Sequence, residues 1–242
     1  MSFLQLLFLA LIQGICEFLP ISSSGHLNLS QFFFNLSPSL SLDVFLNTAT
    51  LLSVLLVFRH QIKNFLKRLP FIVIATLPAV FFGFFFKDNF DTLFSQIKYL
   101  PLFFILTSIL LFSQKFIKTK NKTLTWQKAL FIGFFQALAL FPGVSRSAST
   151  LFACLLVGLS PPRAFQFTFF LFIPASLGAL ALNLDQVNHL TSLSLSSSVL
   201  AFLISLITGI FCLRLLKKLF IGKKLYFFSF YTLLLAFLTS LL

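Results

Sequence analysis

The chain alternates long apolar runs with short polar breaks, and only some of the runs are uninterrupted. Six of them, residues 43–58, 70–86, 99–114, 163–183, 197–213 and 225–242, come close to the roughly 20 residues that cross a hydrocarbon core. Each is expected to be a transmembrane helix. Two other regions, 3–34 and 126–159, hold two shorter apolar pieces apiece. The interruptions are residues 20–26 (PISSSGH) and 142–150 (PGVSRSAST). Irregular backbone at membrane depth persists only where protein or cavity water satisfies its polar groups. Each interrupted region therefore reads as a re-entrant helix hairpin. The expected fold class is an all-α integral membrane protein forming one domain, 1–242.

Composition supports this reading. Apolar residues make up 58% of the 242 positions and charged residues only 10%, and mean hydropathy is +1.02. A soluble domain is about a quarter charged. The 38 Phe residues are expected to be mainly lipid-facing bulk, with some available to line a cleft for an isoprenoid tail. Cys16, Cys154 and Cys212 lie apart in apolar segments, without metal or disulfide spacing. The first positive side chain is Arg59, so no cleavable signal is expected.

The net charge of +13 does not indicate a nucleic-acid partner, because of where the charge lies. Stretches 59–68, 115–128 and 214–224 carry 14 of the 18 Lys and Arg, whereas 22–43 and 184–198 carry none. Positive loops face the cytoplasm. With this assignment, the hairpin at 3–34 enters from outside and the hairpin at 126–159 from inside. Residues 1–118 and 119–242 then form two inverted repeats. The stretch Gln13 to Pro20 (QGICEFLP) echoes Gln136 to Pro142 (QALALFP), with one residue gapped. Inverted repeats with broken helices place a ligand site near the midplane.

Glu17, His26 and Arg146 are the conspicuous ionisable groups in apolar surroundings, and such groups mark function. Arg146 follows Pro142 and Gly143 near a helix start. Free N–H groups there favour anions, and a guanidinium can fork onto two phosphate oxygens. Ser145, Ser147 and Thr150 add hydroxyls. The mirror element is Ser22, Ser23, Ser24, Gly25 and His26, which can donate to phosphate or cap the next helix. A serine here could be the nucleophile; His26 could attack phosphorus itself or act as an acid. Glu17 could ligate Mg²⁺ or Ca²⁺ together with substrate phosphates, or serve as a base. Gln13 sits four residues earlier, on the same helix face, where it could add a carbonyl ligand or make an interhelix bond. Asp43, Asp88, Asp91 and Asp185 are expected to be solvated. His60 and His189 lack companions for a metal site. Asn47 either contacts the site or joins helices.

Residues 13–26 and 142–150 closely resemble the two signatures of the undecaprenyl-diphosphate phosphatase family linked to bacitracin resistance. Residues 167–174 (FTFFLFIP) also look like a helix of that family. The resemblance implies hydrolysis of undecaprenyl diphosphate to the monophosphate carrier of cell-wall synthesis, with a divalent cation (Mg²⁺ or Ca²⁺). It implies a multi-pass protein of the bacterial cytoplasmic membrane, with its site open to the outer side. Carried over by position, Glu17, Ser23, His26 and Arg146 are the functional residues, supported by Ser145, Ser147 and Thr150. The partners expected are the polyprenyl diphosphate and membrane lipids, with a homodimer left open. Gln13 stands where some members carry Glu, which leaves one carboxylate for a cation. The competing reading is a transporter, since broken helices in inverted repeats can also carry a lipid phosphate across the bilayer. A lipid-binding scaffold without chemistry is a third.

Overall fold

The computed structural model describes residues 1–86, 90, 92–93, 96–118, 120–183 and 194–242. Asp88, Asp91, Asp185 and His189 lie outside the described residues, as does most of the stretch 184–198, which carries no Lys or Arg. Among the described residues there are ten α-helices: α1 (Phe3–Cys16), α2 (Ser23–Phe33), α3 (Leu40–Phe58), α4 (Ile62–Phe85), α5 (Leu100–Ser113), α6 (Trp126–Leu138), α7 (Arg146–Leu156), α8 (Pro161–Leu182), α9 (Leu195–Ile221) and α10 (Phe227–Thr239). No strand occurs among the described residues. Both interrupted regions are broken where the polar stretches lie, giving the hairpins α1–α2 and α6–α7.

Four apolar helical stretches are long enough to cross a membrane: Leu40–Phe85, Ile97–Phe116, Pro161–Leu182 and Leu195–Ile221. The first consists of α3 and α4, joined through a 3-10 turn at Arg59–Gln61. The C-terminal run is shorter than its apolar sequence suggests: α10 has 13 residues, about 20 Å at 1.5 Å per residue. Two other boundaries shift. α4 begins at Ile62 rather than at residue 70 and carries Pro70 and Pro78 in its interior. α9 continues past 213 to Ile221 and includes Arg214, Lys217 and Lys218. Basic side chains are good helix formers, so the positive stretches extend the helices instead of ending them.

The surface is apolar and the interior is partly polar, as a bilayer requires. Phe84, Phe85, Phe211 and Phe237 are among the exposed side chains. Glu17, Gln13, His26 and Thr107 are buried. Other Phe residues build the core, among them Phe18, Phe167, Phe169 and Phe170 around α7 and α8.

Small residues let the hairpins sink into the bundle. α1 packs along α9 and α6 packs along α4. A Cβ on Gly14 would stand 2.7 Å from the Ser205 carbonyl oxygen, and one on Gly133 would stand 2.5 Å from that of Ala75. Glycine at such contacts lets backbones approach closely. Between the hairpins, a Cβ on Gly25 would lie 3.2 Å from Gly143 Cα. The two broken loops therefore touch.

Candidate active site

Each break starts a new helix, and the first residue of each helix carries a candidate group. Ser22 caps α2: its Oγ accepts from Gly25 N at 3.3 Å. Ser145 caps α7 in the same way, accepting from Ala148 N at 3.3 Å. Ser23 and Arg146 follow as the first helical residues. Each break also contains one residue of positive φ, Ser22 at 72° and Gly143 at 99°. For a non-glycine residue such as Ser22 this costs about 1–3 kcal/mol, and strain of that kind clusters at functional sites. Ser24 Oγ accepts from Gly143 N at 3.4 Å. Thr107 on α5 holds the second break by accepting from Ser145 N at 3.0 Å and donating to Gly143 O at 2.9 Å.

Glu17 stands at the meeting point, just past the end of α1. Its Oε1 pairs with Arg146 Nη2 at 2.7 Å. Its Oε2 accepts from Ser23 Oγ at 2.5 Å and from Gln13 Nε2 at 3.0 Å. Arg146 also donates from Nη1 to Ser176 Oγ at 3.3 Å, and its guanidinium lies over the Phe172 ring at 4.4 Å. A hydroxyl, a carboxylate and a guanidinium thus form one chain of contacts across the two hairpins.

This chain borders a cavity of about 520 Å³. Of the expected residues, Gln13, Glu17, Ser22, Ser23, Ser24, Ser145 and Arg146 line it. Its remaining wall is largely apolar, with Val44, Val80, Phe84 and Leu140 among the lining residues. The arrangement suits a molecule with an anionic head and a greasy tail. Two helix N-termini and a guanidinium attract the head, and Ser23 presents an oxygen whose proton Glu17 can take.

Five expected residues take other places. Gly25 and Gly143 serve the close approach of the loops. Thr150 spends its hydroxyl on the Arg146 carbonyl at 2.6 Å, and Ser147 contacts Ser145 Oγ at 3.2 Å. Both side chains are buried and lie off the cavity. His26 turns away from Ser23 altogether. Its Nδ1 lies 2.7 Å from Ser22 O and its Nε2 lies 2.8 Å from Tyr231 Oη. The Tyr231 ring stacks on it at 5.7 Å. A proton on Nδ1 satisfies the Ser22 carbonyl and leaves Nε2 to accept from tyrosine. His26 thereby ties the strained turn to α10.

Other residues join the site unexpectedly. Asp43 is not simply solvated: it lines the cavity and accepts from Gln31 Nε2 at 2.9 Å. Gln136 and Asn183 line it too, and Asn47 lines it in keeping with one of its two expected roles. Ser176, Thr107 and Tyr231 come from distant helices, and no local pattern marks them.

A divalent cation held by protein alone would need several converging donors. Among the described residues no three His, Cys, Asp or Glu side chains converge. Glu17 is the carboxylate at the hydroxyl, one of its oxygens is covered by Arg146, and Gln13 turns its amide nitrogen toward the other. These residues do not form a cage that would hold a cation by themselves.

Comparison with known proteins agrees with the geometry. The family model described as bacitracin resistance protein BacA matches residues 6–238. A protein of Thermosipho africanus named undecaprenyl-diphosphatase is 41% identical over 241 residues, covering 94% of this chain and 95% of the relative. Bearers of the same name from Methanococcus maripaludis and Carboxydothermus hydrogenoformans are each 36% identical, covering 96% of this chain and 96% and 94% of their own lengths. The match runs through both hairpins, the cavity between them and the apolar helices around it, and the chain belongs to the bacitracin resistance protein BacA family.

Proposed function

We propose that the chain hydrolyses undecaprenyl diphosphate to the monophosphate and inorganic phosphate. The observation that carries the reading is the Ser23 hydroxyl on Glu17 Oε2 with Arg146 on Oε1, at the junction of two helix N-termini. The diphosphate head enters the polar end of the cavity, and the prenyl tail lies along its apolar wall. Arg146 leaves Glu17 for the phosphate, which offers it two acceptor oxygens in a fork. Glu17, released from its partner, takes the Ser23 proton. Ser23 Oγ bonds to the terminal phosphorus as the bridging P–O bond breaks, and the prenyl monophosphate leaves with the electron pair. Water then attacks the phosphoserine phosphorus; as the P–Oγ bond breaks, Glu17 returns its proton to Ser23 Oγ, and the water leaves on phosphorus as dihydrogen phosphate, which restores both residues. The leaving group is already a weakly basic phosphate, so no general acid is needed, which accords with His26 lying elsewhere.

A divalent cation, Mg²⁺ or Ca²⁺, would be held mainly by the substrate phosphates, with Glu17 as a protein carboxylate that could add to them, since Mg²⁺ commonly binds through one carboxylate and substrate phosphates. It would supply neutralisation of phosphate charge. Gln13 orients Glu17 through its Nε2, at 3.0 Å from Oε2. We further propose that residues 1–118 and 119–242 are inverted repeats. The pairing of α1 with α9 and of α6 with α4 supports this, because exchanging the halves turns one pairing into the other. The basic stretches then face the cytoplasm and the cavity faces outward.

The test is phosphate release from farnesyl or undecaprenyl diphosphate by the purified protein, with Mg²⁺, Ca²⁺ or EDTA, beside Ser23→Ala. Cation-dependent release that Ser23→Ala abolishes supports the reading. A well-folded protein that releases no phosphate with any cation sinks it and favours lipid transport.

A further inference from the structure

Gln136 is 2% exposed, and among the described residues neither Nε2 nor Oε1 of its side chain has a hydrogen-bond partner. Buried polar side chains nearly always have one, so an orphan of this kind points to a catalytic role or to a missing water or ion. Gln136 also lines the cavity that holds Ser23, Glu17 and Arg146.

The sequence explains why this amide is left over. Gln13 and Gln136 occupy matching places in the two hairpins. Gln13 donates to the carboxylate four residues ahead, at 3.0 Å. Four residues after Gln136 stands Leu140, which accepts nothing. In the first hairpin the amide is spent on positioning the carboxylate. In the second it is buried with its donor and acceptor unspent.

We propose that Gln136 is a further substrate-binding residue, contacting the diphosphate head from the second hairpin. Its Nε2 donates to a phosphate oxygen, and its Oε1 accepts from a water in the phosphate's hydration shell. A diphosphate offers only acceptors when ionised, and its hydration water supplies the donor. The ligand's chemistry rests on the phosphatase reading above; the orphaned amide does not.

Gln136→Met keeps the length of the side chain and removes both polar atoms. Replacing an unsatisfied amide with an apolar group of similar shape is nearly neutral or stabilising. The variant should therefore melt at or above the wild-type temperature in detergent. Its kcat/KM on farnesyl diphosphate should fall about ten- to a hundredfold, the loss of one hydrogen bond to a charged group, chiefly through KM. The thermal stabilisation given by inorganic pyrophosphate should shrink with it. Gln136→Glu should fall further, because its carboxylate repels the phosphate. A Gln136→Met protein with kcat/KM within threefold of wild type overturns the proposal. So does a variant that melts several degrees lower and loses activity only as it loses folded protein, because the amide then serves the fold. If wild type hydrolyses no prenyl diphosphate, yet pyrophosphate stabilises it and not Gln136→Met, the phosphatase reading fails and the Gln136 contact stands.

Discussion

The Glu17–Arg146 pair lets stability and catalysis be separated by three variants. The pair is 2.7 Å long, with side-chain exposures of 5% for Glu17 and 25% for Arg146. Removing one member of a buried pair leaves an uncompensated charge, at about 3–5 kcal/mol. The two removals are unequal. Arg146→Met strands a carboxylate in the drier position, with only the Gln13 N–H and Ser23 hydroxyl to hold it. Glu17→Gln strands a guanidinium that is partly wet and retains Ser176 and the Phe172 face. Arg146→Met should therefore cost the upper part of that range and Glu17→Gln the lower part. The double variant has no stranded charge and should recover about 2–3 kcal/mol against the sum, within the range found for contacting residues. At about 2–4 °C per kcal/mol for a chain of this size, each single variant melts roughly 6–20 °C low. The double variant melts closer to wild type than additivity allows. Activity follows the opposite pattern. Glu17→Gln loses the proton acceptor, worth about 10²–10⁴ in rate, and the double variant stays as inactive as the worse single. Thermal melts in detergent and phosphate release per folded protein read both quantities. An Arg146→Met protein that melts with wild type refutes the buried-pair argument. A double variant that recovers activity along with stability refutes the catalytic one.

Other perturbations test the assignments around the pair. Ser23→Ala keeps the fold and abolishes phosphate release; transfer of ³²P from labelled prenyl diphosphate to wild type and not to this variant checks the phosphoserine. Tyr231→Phe removes one hydrogen bond to His26, costs about 1 kcal/mol of stability and leaves the rate within threefold; a hundredfold loss in the assay would return His26 to the chemistry. Gly14→Val drives a side chain into α9, where a Cβ alone stands 2.7 Å from the Ser205 carbonyl oxygen; yield of folded protein should collapse on gel filtration, whereas Gly178→Val, with no atom within 4 Å of its Cβ position, should express normally.

The broken hairpins were legible because an apolar sequence makes its exceptions conspicuous. Residues 20–26 and 142–150 contrast with their surroundings in polarity, proline and glycine together. Glu17 and Arg146 stood out for the same reason, since a charge at membrane depth needs a cause. The helix ends were less legible. Apolar runs report where lipid lies, not where the helix stops, and α9 carries Arg214, Lys217 and Lys218 past the apolar boundary. Nor did the sequence say which way a side chain turns. Ser23 and His26 are three residues apart on α2, yet one faces the cavity and the other faces Tyr231, 205 positions away. Thr150 looked like a phosphate donor because it follows Arg146 in a polar stretch. Threonine inside a helix instead bonds back to the carbonyl four residues earlier, as it does here.

Chemically, the two hairpins are only approximate copies, and their differences divide the work of the site. Each hairpin supplies a glutamine, a serine cap and a helix N-terminus. Only the first supplies a carboxylate, at Glu17, where the second has Leu140. The second supplies Arg146 as the first residue after its cap, where the first has Ser23. Each hairpin lacks the partner that its own charge requires. Each charge is costly in the bilayer without the other, so the ion pair at the site also joins the two hairpins. In the proposed mechanism, a phosphate that draws Arg146 away leaves Glu17 uncovered only while it occupies the cavity, which would couple release of the base to the presence of substrate.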